Sequence, residues 1–132
     1  MEYLLYLAAF MTFFVGITHS VLGEKYILIR LFEKGNLPKL LGGTEFTQLT
    51  LRFAWHITTI AWWGFAAILI MLAEKSFTYQ NLAMVIAVTF LVSSVITIVM
   101  SKGRHYAGFV FLFIGAVSLS AASYADVISK NV

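Results

Sequence analysis

Residues 53–73 read FAWHITTIAWWGFAAILIMLA, an apolar run whose one ionisable side chain is His56. A helix rises about 1.5 Å per residue, so a run of this length crosses a hydrocarbon core of about 30 Å. Three other stretches have the same character, at residues 3–22, 79–100 and 106–125. Lipid offers the backbone no hydrogen bonds, which favours helices, and the short alternating strands of a barrel are absent from the sequence. The sequence therefore predicts an all-α, integral membrane four-helix bundle.

The composition excludes most other classes of protein. Of the 132 residues, 61% are hydrophobic and 11% are charged, whereas a soluble domain carries about 25% charged residues. The chain has no Cys, which excludes disulfides, thiolate metal sites, iron–sulfur clusters and cysteine nucleophiles. We expect residues 1–132 to form a single four-span membrane domain.

The connection between the first two apolar stretches is the longest segment outside the predicted spans. Residues 24–34 read EKYILIRLFEK, in which charged residues flank and interrupt an apolar run, and Asn36 and Pro38 follow. Such a pattern is typical of a helix that lies at the membrane surface with its basic side chains toward the headgroups. We therefore expect a short interfacial amphipathic segment between the first and second spanning helices.

The distribution of basic residues predicts the orientation. With four spans, the connections at residues 23–52 and 101–105 lie on one side, and both termini and the remaining turn lie on the other. The first side holds seven of the nine basic residues, namely Lys25, Arg30, Lys34, Lys39, Arg52, Lys102 and Arg104, and the other side holds Lys75 and Lys130. By the positive-inside rule the first side is cytoplasmic. We expect a bacterial inner-membrane protein with both termini on the non-cytoplasmic side.

The distribution of basic residues also indicates which binding partners to expect. No basic run with interleaved aromatic residues is present to follow a phosphate backbone, so no nucleic-acid partner is expected. Lys102 and Arg104 are candidate contacts for a lipid or another anion. Arg52 is a third candidate, and pairing with Glu24 or Glu45 is an alternative for its side chain.

Three histidines form the candidate site. His19 lies near the cytoplasmic end of the first span, His56 near the start of the second, and His105 at the start of the fourth. Because successive spans cross the membrane in opposite directions, all three histidines lie at a similar depth on one side. Imidazole nitrogen is a common ligand for zinc, iron and copper, and Glu24 would add an oxygen, while two histidines could instead ligate a b-type haem.

Small and polar residues at helical spacing predict which faces meet. These residues form a stripe along one face of each helix. On the first helix the stripe is Thr12, Gly16, His19 and Gly23, and on the second it is Gln48, Arg52, His56, Thr59 and Trp63. On the third helix it is Ser94, Thr97 and Ser101, and on the fourth it is Gly108, Gly115 and Ala122. Such stripes permit close approach between membrane helices. We expect His19 and His56 to share one site, with His105 close enough to join it.

Three functions remain open from the sequence. The first is a small binding or accessory protein that holds a transition metal or haem at His19, His56 and His105, with Glu24 as a further metal ligand, alone or within a larger membrane complex. The second is an oligomeric transporter or channel for a small solute or a proton, using the same polar site. The third is a structural protein whose partner is membrane lipid. Whether the protein is an enzyme is left open, because no recurring catalytic motif is present.

Overall fold

The computed structural model describes the backbone of residues 1–130 and the side chains of residues 1–125. Its elements are α1 (Glu2–Leu22), a π-helical segment (Gly23–Leu28), α2 (Ile29–Glu33), α3 (Glu45–Ala73), α4 (Tyr79–Met100) and α5 (Ala107–Lys130). The structure is 82% helical, and four helices are long and apolar enough to cross a membrane. The predicted fold class, a four-helix bundle in a multi-pass membrane protein, is confirmed.

The helices extend beyond the apolar stretches that predict them. The third span has the bounds expected, at residues 79–100, whereas α3 begins at Glu45 rather than at residue 53 and α5 continues to Lys130 rather than to residue 125. Helical hydrogen bonding continues in water as well as in lipid, so hydropathy locates the membrane part of a helix and not its ends. The side chain of Lys130, used in the orientation argument, lies outside the described residues.

The expected interfacial segment differs from the prediction in one respect. It is helical, but it is joined to α1 through the π-helical segment, giving one continuous helix over Glu2–Glu33. The chain leaves this helix at Gly35, whose φ of +70° suits glycine. A tight turn follows, in which Leu40 and Gly43 exchange backbone hydrogen bonds of 2.9 and 3.3 Å.

The helices pack in the order of the chain. Helix α1 packs on α3, α3 on α4 and α4 on α5, and the last interface is the most extensive. The α4–α5 interface depends on small residues, since a Cβ at Gly108 would lie 2.5 Å from Ile98 and one at Gly115 would lie 2.7 Å from Leu91. All six residues of the predicted stripes are buried there, namely Ser94, Thr97, Ser101, Gly108, Gly115 and Ala122.

Ion pairs connect the helices at both ends of the bundle. At one end Glu45 accepts from Lys102 Nζ at 2.8 Å and from Arg104 Nη1 at 2.9 Å. At the other end Lys75 pairs with Glu2 at 2.7 Å. Exposed pairs of this kind contribute little to stability, so helix packing rather than charge carries the stability of the bundle.

Candidate functional site

His56 lies on α3 and contacts the first helix at both ring nitrogens, through a hydrogen bond at Nδ1 and an ion-pair contact at Nε2. Its Nδ1 is 3.0 Å from Ser20 Oγ, and its Nε2 is 3.4 Å from Glu24 Oε2. Ser20 and Glu24 are one helical turn apart, so both face α3. The His56 side chain is 23% exposed, which places the ring between the helices.

Glu24 is held by a two-pronged ion pair with Arg52. Arg52 Nη2 lies 2.8 Å from Oε1 and Arg52 Nε lies 3.2 Å from Oε2 of the same carboxylate. This confirms that Arg52 pairs with Glu24. Because guanidinium and carboxylate match in shape, the fork fixes the direction in which Glu24 presents its oxygens to His56.

A π-helical turn positions Glu24. Gly23 begins this segment and lies directly against the indole of Trp55, which a Cβ at position 23 would overlap. A single π turn inside an α-helix is uncommon and occurs frequently at functional sites. The glycine thus lets the first helix approach α3 closely at the point where its hydrogen-bonding pattern changes.

The polar contacts continue from His56 toward the membrane interior. Ser20 Oγ is 2.8 Å from Thr59 Oγ1, and Thr59 Oγ1 donates to the carbonyl of Gly16 at 3.1 Å. Thr59 is 3% exposed. His56, Ser20, Thr59 and the Gly16 carbonyl therefore form a continuous line of hydrogen-bond partners. Together with Glu24, which contacts the far side of the His56 ring as an ion pair, we call it the polar line.

Counting protons shows what the polar line can do. It has four links: the ion-pair contact of the carboxylate with Nε2, and the hydrogen bonds from Nδ1 to Ser20, Ser20 to Thr59, and Thr59 to the Gly16 carbonyl. A neutral imidazole and two hydroxyls supply three protons, and an imidazolium with the same hydroxyls supplies four. With a neutral ring that has its proton on Nε2, facing Glu24, Thr59 can donate to Ser20 and Ser20 to Nδ1. With a charged ring both hydroxyls reverse and all four links contain a proton.

Two tryptophans flank the polar line and bind the same helix. Trp55 Nε1 donates to the carbonyl of His19 at 3.0 Å, and Trp63 Nε1 donates to that of Phe13 at 3.2 Å. Trp55, Thr59 and Trp63 follow one another at intervals of four residues along α3. Each of the three side chains donates a hydrogen bond to a backbone carbonyl of α1. Trp55 and Ser20 were not predicted as site residues. Residues 55, 59 and 63 are spaced four apart and so lie on one face of a helix, which is the sequence signal that could have identified Trp55.

His19 lies outside the polar line. Its ring stacks on Trp55 with a centroid distance of 4.5 Å and also contacts Trp62 at 4.9 Å. Its Nε2 is buried without a hydrogen-bond partner. Neighbouring residues on a helix point about 100° apart, so once Ser20 faces His56, His19 turns toward the tryptophans. In the described side chains His19 and His56 share no hydrogen-bonding or stacking partner, contrary to the expectation of a common site.

His105 lies at a third place, in the turn before α5. Its ring stacks on Phe46 at 5.6 Å and meets Phe53 edge-on at 4.8 Å, while its Nδ1 accepts from the amide of Ala107 at 3.2 Å. Within the part of the chain that the structure describes, no group of three or more His, Asp or Glu side chains could hold a metal ion. The structure therefore does not assemble the predicted set of His19, His56, His105 and Glu24 as metal ligands.

An apolar groove of about 420 Å³ flanks the polar line between α1, α3 and α4. Ser20, His56 and Thr59 border it, and Ile96 and Met100 of α4 form its far wall. The hydroxyls of the polar line are bonded to one another rather than directed into the groove. Apolar side chains thus shield the line from lipid, and Glu24 and Arg52 mark its more exposed end.

Comparisons with protein families, curated proteins and solved structures give no match for this chain.

Proposed function

We propose that this chain is a proton-handling membrane protein in which His56 takes up a proton near Glu24 and passes it along Ser20 and Thr59. The observation that carries the proposal is the polar line, because each of its members can both give and receive a proton or end the line as an acceptor. Adding one proton at His56 reverses the direction of donation through both hydroxyls. A proton then passes when Nδ1 gives its proton to Ser20, Ser20 gives its own to Thr59, and Thr59 releases its own to a water molecule in the adjoining groove. The Gly16 carbonyl accepts a hydrogen bond from Thr59 and does not take the proton.

The cost of the site in lipid supports a functional role. Ionisable side chains inside a membrane are expensive and usually belong to ion or proton pathways. The groups that face His56 are Glu24 and Ser20 from the first helix and Thr59 from its own helix, with Arg52 behind Glu24. The Arg52–Glu24 pair has no net charge, so a proton on His56 adds one positive charge directly beside a carboxylate.

The polar line extends partway through the membrane. From Glu24 to the carbonyl of Gly16 it covers eight residues of helix, or about 12 Å of a hydrocarbon core of about 30 Å. We propose that its Glu24 end faces the cytoplasm of a bacterial cell, in the inner membrane, with both termini outside. This orientation follows from the concentration of basic residues on that side.

Proton flux into vesicles tests the function. The purified protein is reconstituted in liposomes that contain a pH-sensitive dye, and a potassium diffusion potential is imposed with valinomycin. We expect flux above that of protein-free vesicles. His56→Gln keeps a hydrogen-bonding side chain that does not titrate, and we expect it to reduce the flux to the protein-free rate, whereas Ser20→Ala should reduce it in part.

His105→Gln is the matched control, because it changes the same residue type at a position outside the polar line. Flux through this variant should equal that of the wild type. If His56→Gln conducts protons as well as the wild type in folded, correctly inserted protein, the proposed function is wrong.

A second candidate function, metal or haem binding, depends on a different atom. His19 Nε2 is buried without a hydrogen-bond partner and lies beside Trp55 and Trp62. Burying an unpaired polar atom costs about 1–3 kcal/mol, and a bound metal or haem would remove that cost. Absorption spectroscopy and elemental analysis of the purified protein test this function. A Soret band or stoichiometric metal that disappears in His19→Phe supports it, and a colourless, metal-free protein contradicts it.

A further inference from the structure

A second and larger groove runs along α3 on the side away from the polar line. It has a volume of about 490 Å³ and lies between α3, α4 and α5, bordered on α3 from Ala54 to Ile68 and closed on the α5 side by Phe111. The α3 border covers 15 residues, whose 14 steps span about 21 Å of helix. This is longer than half of a hydrocarbon core of about 30 Å, so the groove can take the length of one lipid acyl chain.

The groove suits hydrocarbon rather than a polar solute. Three hydroxyl residues border it, and each donates to a carbonyl of its own helix: Thr58 to Ala54 at 3.0 Å, Thr89 to Val85 at 2.7 Å and Ser93 to Thr89 at 2.7 Å. Their protons are therefore occupied, and the rest of the lining is alanine, glycine and larger apolar residues. A volume of 490 Å³ is far too small for a second helix, whose diameter with side chains is about 10 Å.

A positively charged cluster lies at the end of the bundle toward which the groove runs. Lys102 and Arg104, in the turn between α4 and α5, both bind the single carboxylate of Glu45. Two cations and one anion leave a net charge of +1. The two side chains are 65% and 40% exposed, and their remaining N–H groups are free to donate to the oxygens of a phosphate.

From these two features we infer that the protein holds one anionic phospholipid, with an acyl chain in the α3–α4–α5 groove and its phosphate on Lys102 and Arg104. Glu45 lies nine residues before Ala54, about 13 Å along α3. The glycerol and the first chain carbons bridge this distance, because the headgroup region of one leaflet and the outermost hydrocarbon together have a similar thickness. The inference is independent of the proposed proton function.

Native mass spectrometry of the detergent-solubilised protein tests the inference. The protein is titrated with dioleoyl phosphatidylglycerol and, separately, with dioleoyl phosphatidylcholine. We expect one phosphatidylglycerol to bind at concentrations where phosphatidylcholine does not. Glycerophosphate, which has the phosphate without the chains, should not bind. Binding of glycerophosphate alone would assign the cluster to a free phosphate and overturn the lipid site.

Two pairs of variants test the acyl-chain groove and the headgroup contacts separately. Ala61→Phe fills the groove and should abolish binding, whereas Ala116→Phe places the same ring on the exposed face of α5 and should not. Replacing Lys102 and Arg104 with Gln should remove the preference for phosphatidylglycerol, whereas Lys75→Gln at the opposite end of the bundle should leave it intact. Equal retention of phosphatidylglycerol by Ala61→Phe and Ala116→Phe would show that the groove does not hold the chain. Neither result depends on proton flux.

Discussion

Gly23 shows how one residue determines the geometry of the candidate site. Its missing side chain allows the indole of Trp55 to lie against the backbone. We expect Gly23→Ala to destabilise the protein by about 1–3 kcal/mol, as overpacking does elsewhere, because the added methyl group must displace the ring. Unfolding in mixed micelles of increasing dodecyl sulfate content measures the change.

Gly43→Ala is the control for this prediction. A Cβ at Gly43 meets nothing within 4 Å, and its φ lies outside the left-handed region, so the same chemical change should leave stability within about 0.5 kcal/mol of the wild type. Equal stabilities for the two variants would mean that the approach of Trp55 to the first helix does not depend on glycine.

Several residues of the site could be predicted from spacing alone, and others could not. Gly16, Gly23, Thr59 and His56 all lie at the α1–α3 contact, as their helical periodicity indicates. His19 was placed in the same stripe because residues 16, 19 and 23 share one face of an ideal helix. A stripe is wide enough to include residues at its edge, and the structure assigns Ser20, one position along, to the contact with His56.

At the level of helix pairs, interhelical hydrogen bonds should matter more than hydrogen bonds within one helix. Ser94 Oγ on α4 donates to the carbonyl of Gly108 on α5 at 2.7 Å, and the bond is buried. We expect Ser94→Ala to lower stability by about 0.5–1.5 kcal/mol, because it removes a bond between two elements. The change is measured by unfolding in mixed micelles.

Ser118→Ala provides the comparison. Ser118 Oγ donates to the carbonyl of Ile114 in its own helix at 2.9 Å, so its removal leaves every interhelical bond in place. We expect a change of less than about 0.5 kcal/mol. If the two serine variants lose the same stability, the α4–α5 interface does not depend on the Ser94 bond.

The first and last residues of the helices could be predicted only in part from the sequence. Hydropathy locates the four spans because the membrane imposes a length on apolar runs. It does not report that the first helix continues through a π-helical segment to Glu33, since residues 24–34 carry charges that fit either a surface helix or an extension of a span. The packing of Gly23 on Trp55 distinguishes the two; helical spacing places each residue on a contact face, but it does not report that these two residues meet.

For the whole molecule, orientation is the property that can be tested most directly. Cysteine replaces Gly43, in the connection before α3, or Glu74, at the end of α3, in this chain that has no cysteine of its own. Because seven of nine basic residues lie on the side of Gly43, we expect an impermeant thiol reagent to label Glu74→Cys in intact cells. Gly43→Cys should be labelled after the membrane is opened. The reverse pattern would invert the orientation, and with it the side from which His56 would take up a proton under the proposed function.

The order of the helices in space could not be predicted from the sequence. The stripes identify a contact face on every helix but not which faces meet, and a closed square of four helices would satisfy them as well as the sequential packing that is found. Sequential packing leaves spaces at both faces of α3, and these are the two grooves described above.

The three bonds from α3 to the carbonyls of α1 limit how these helices can slide. Trp55, Thr59 and Trp63 engage His19, Gly16 and Phe13 in turn. A shift of a fraction of a turn breaks all three bonds, whereas a shift of one full turn, about 5.4 Å, brings Trp55 opposite Gly16 and Thr59 opposite Phe13. The same shift moves Gly23 away from Trp55 and brings Ser20 to the place where a Cβ overlaps the indole. The three bonds and the glycine at position 23 therefore select the one register seen in the structure, and that register keeps Ser20 and Glu24 beside His56.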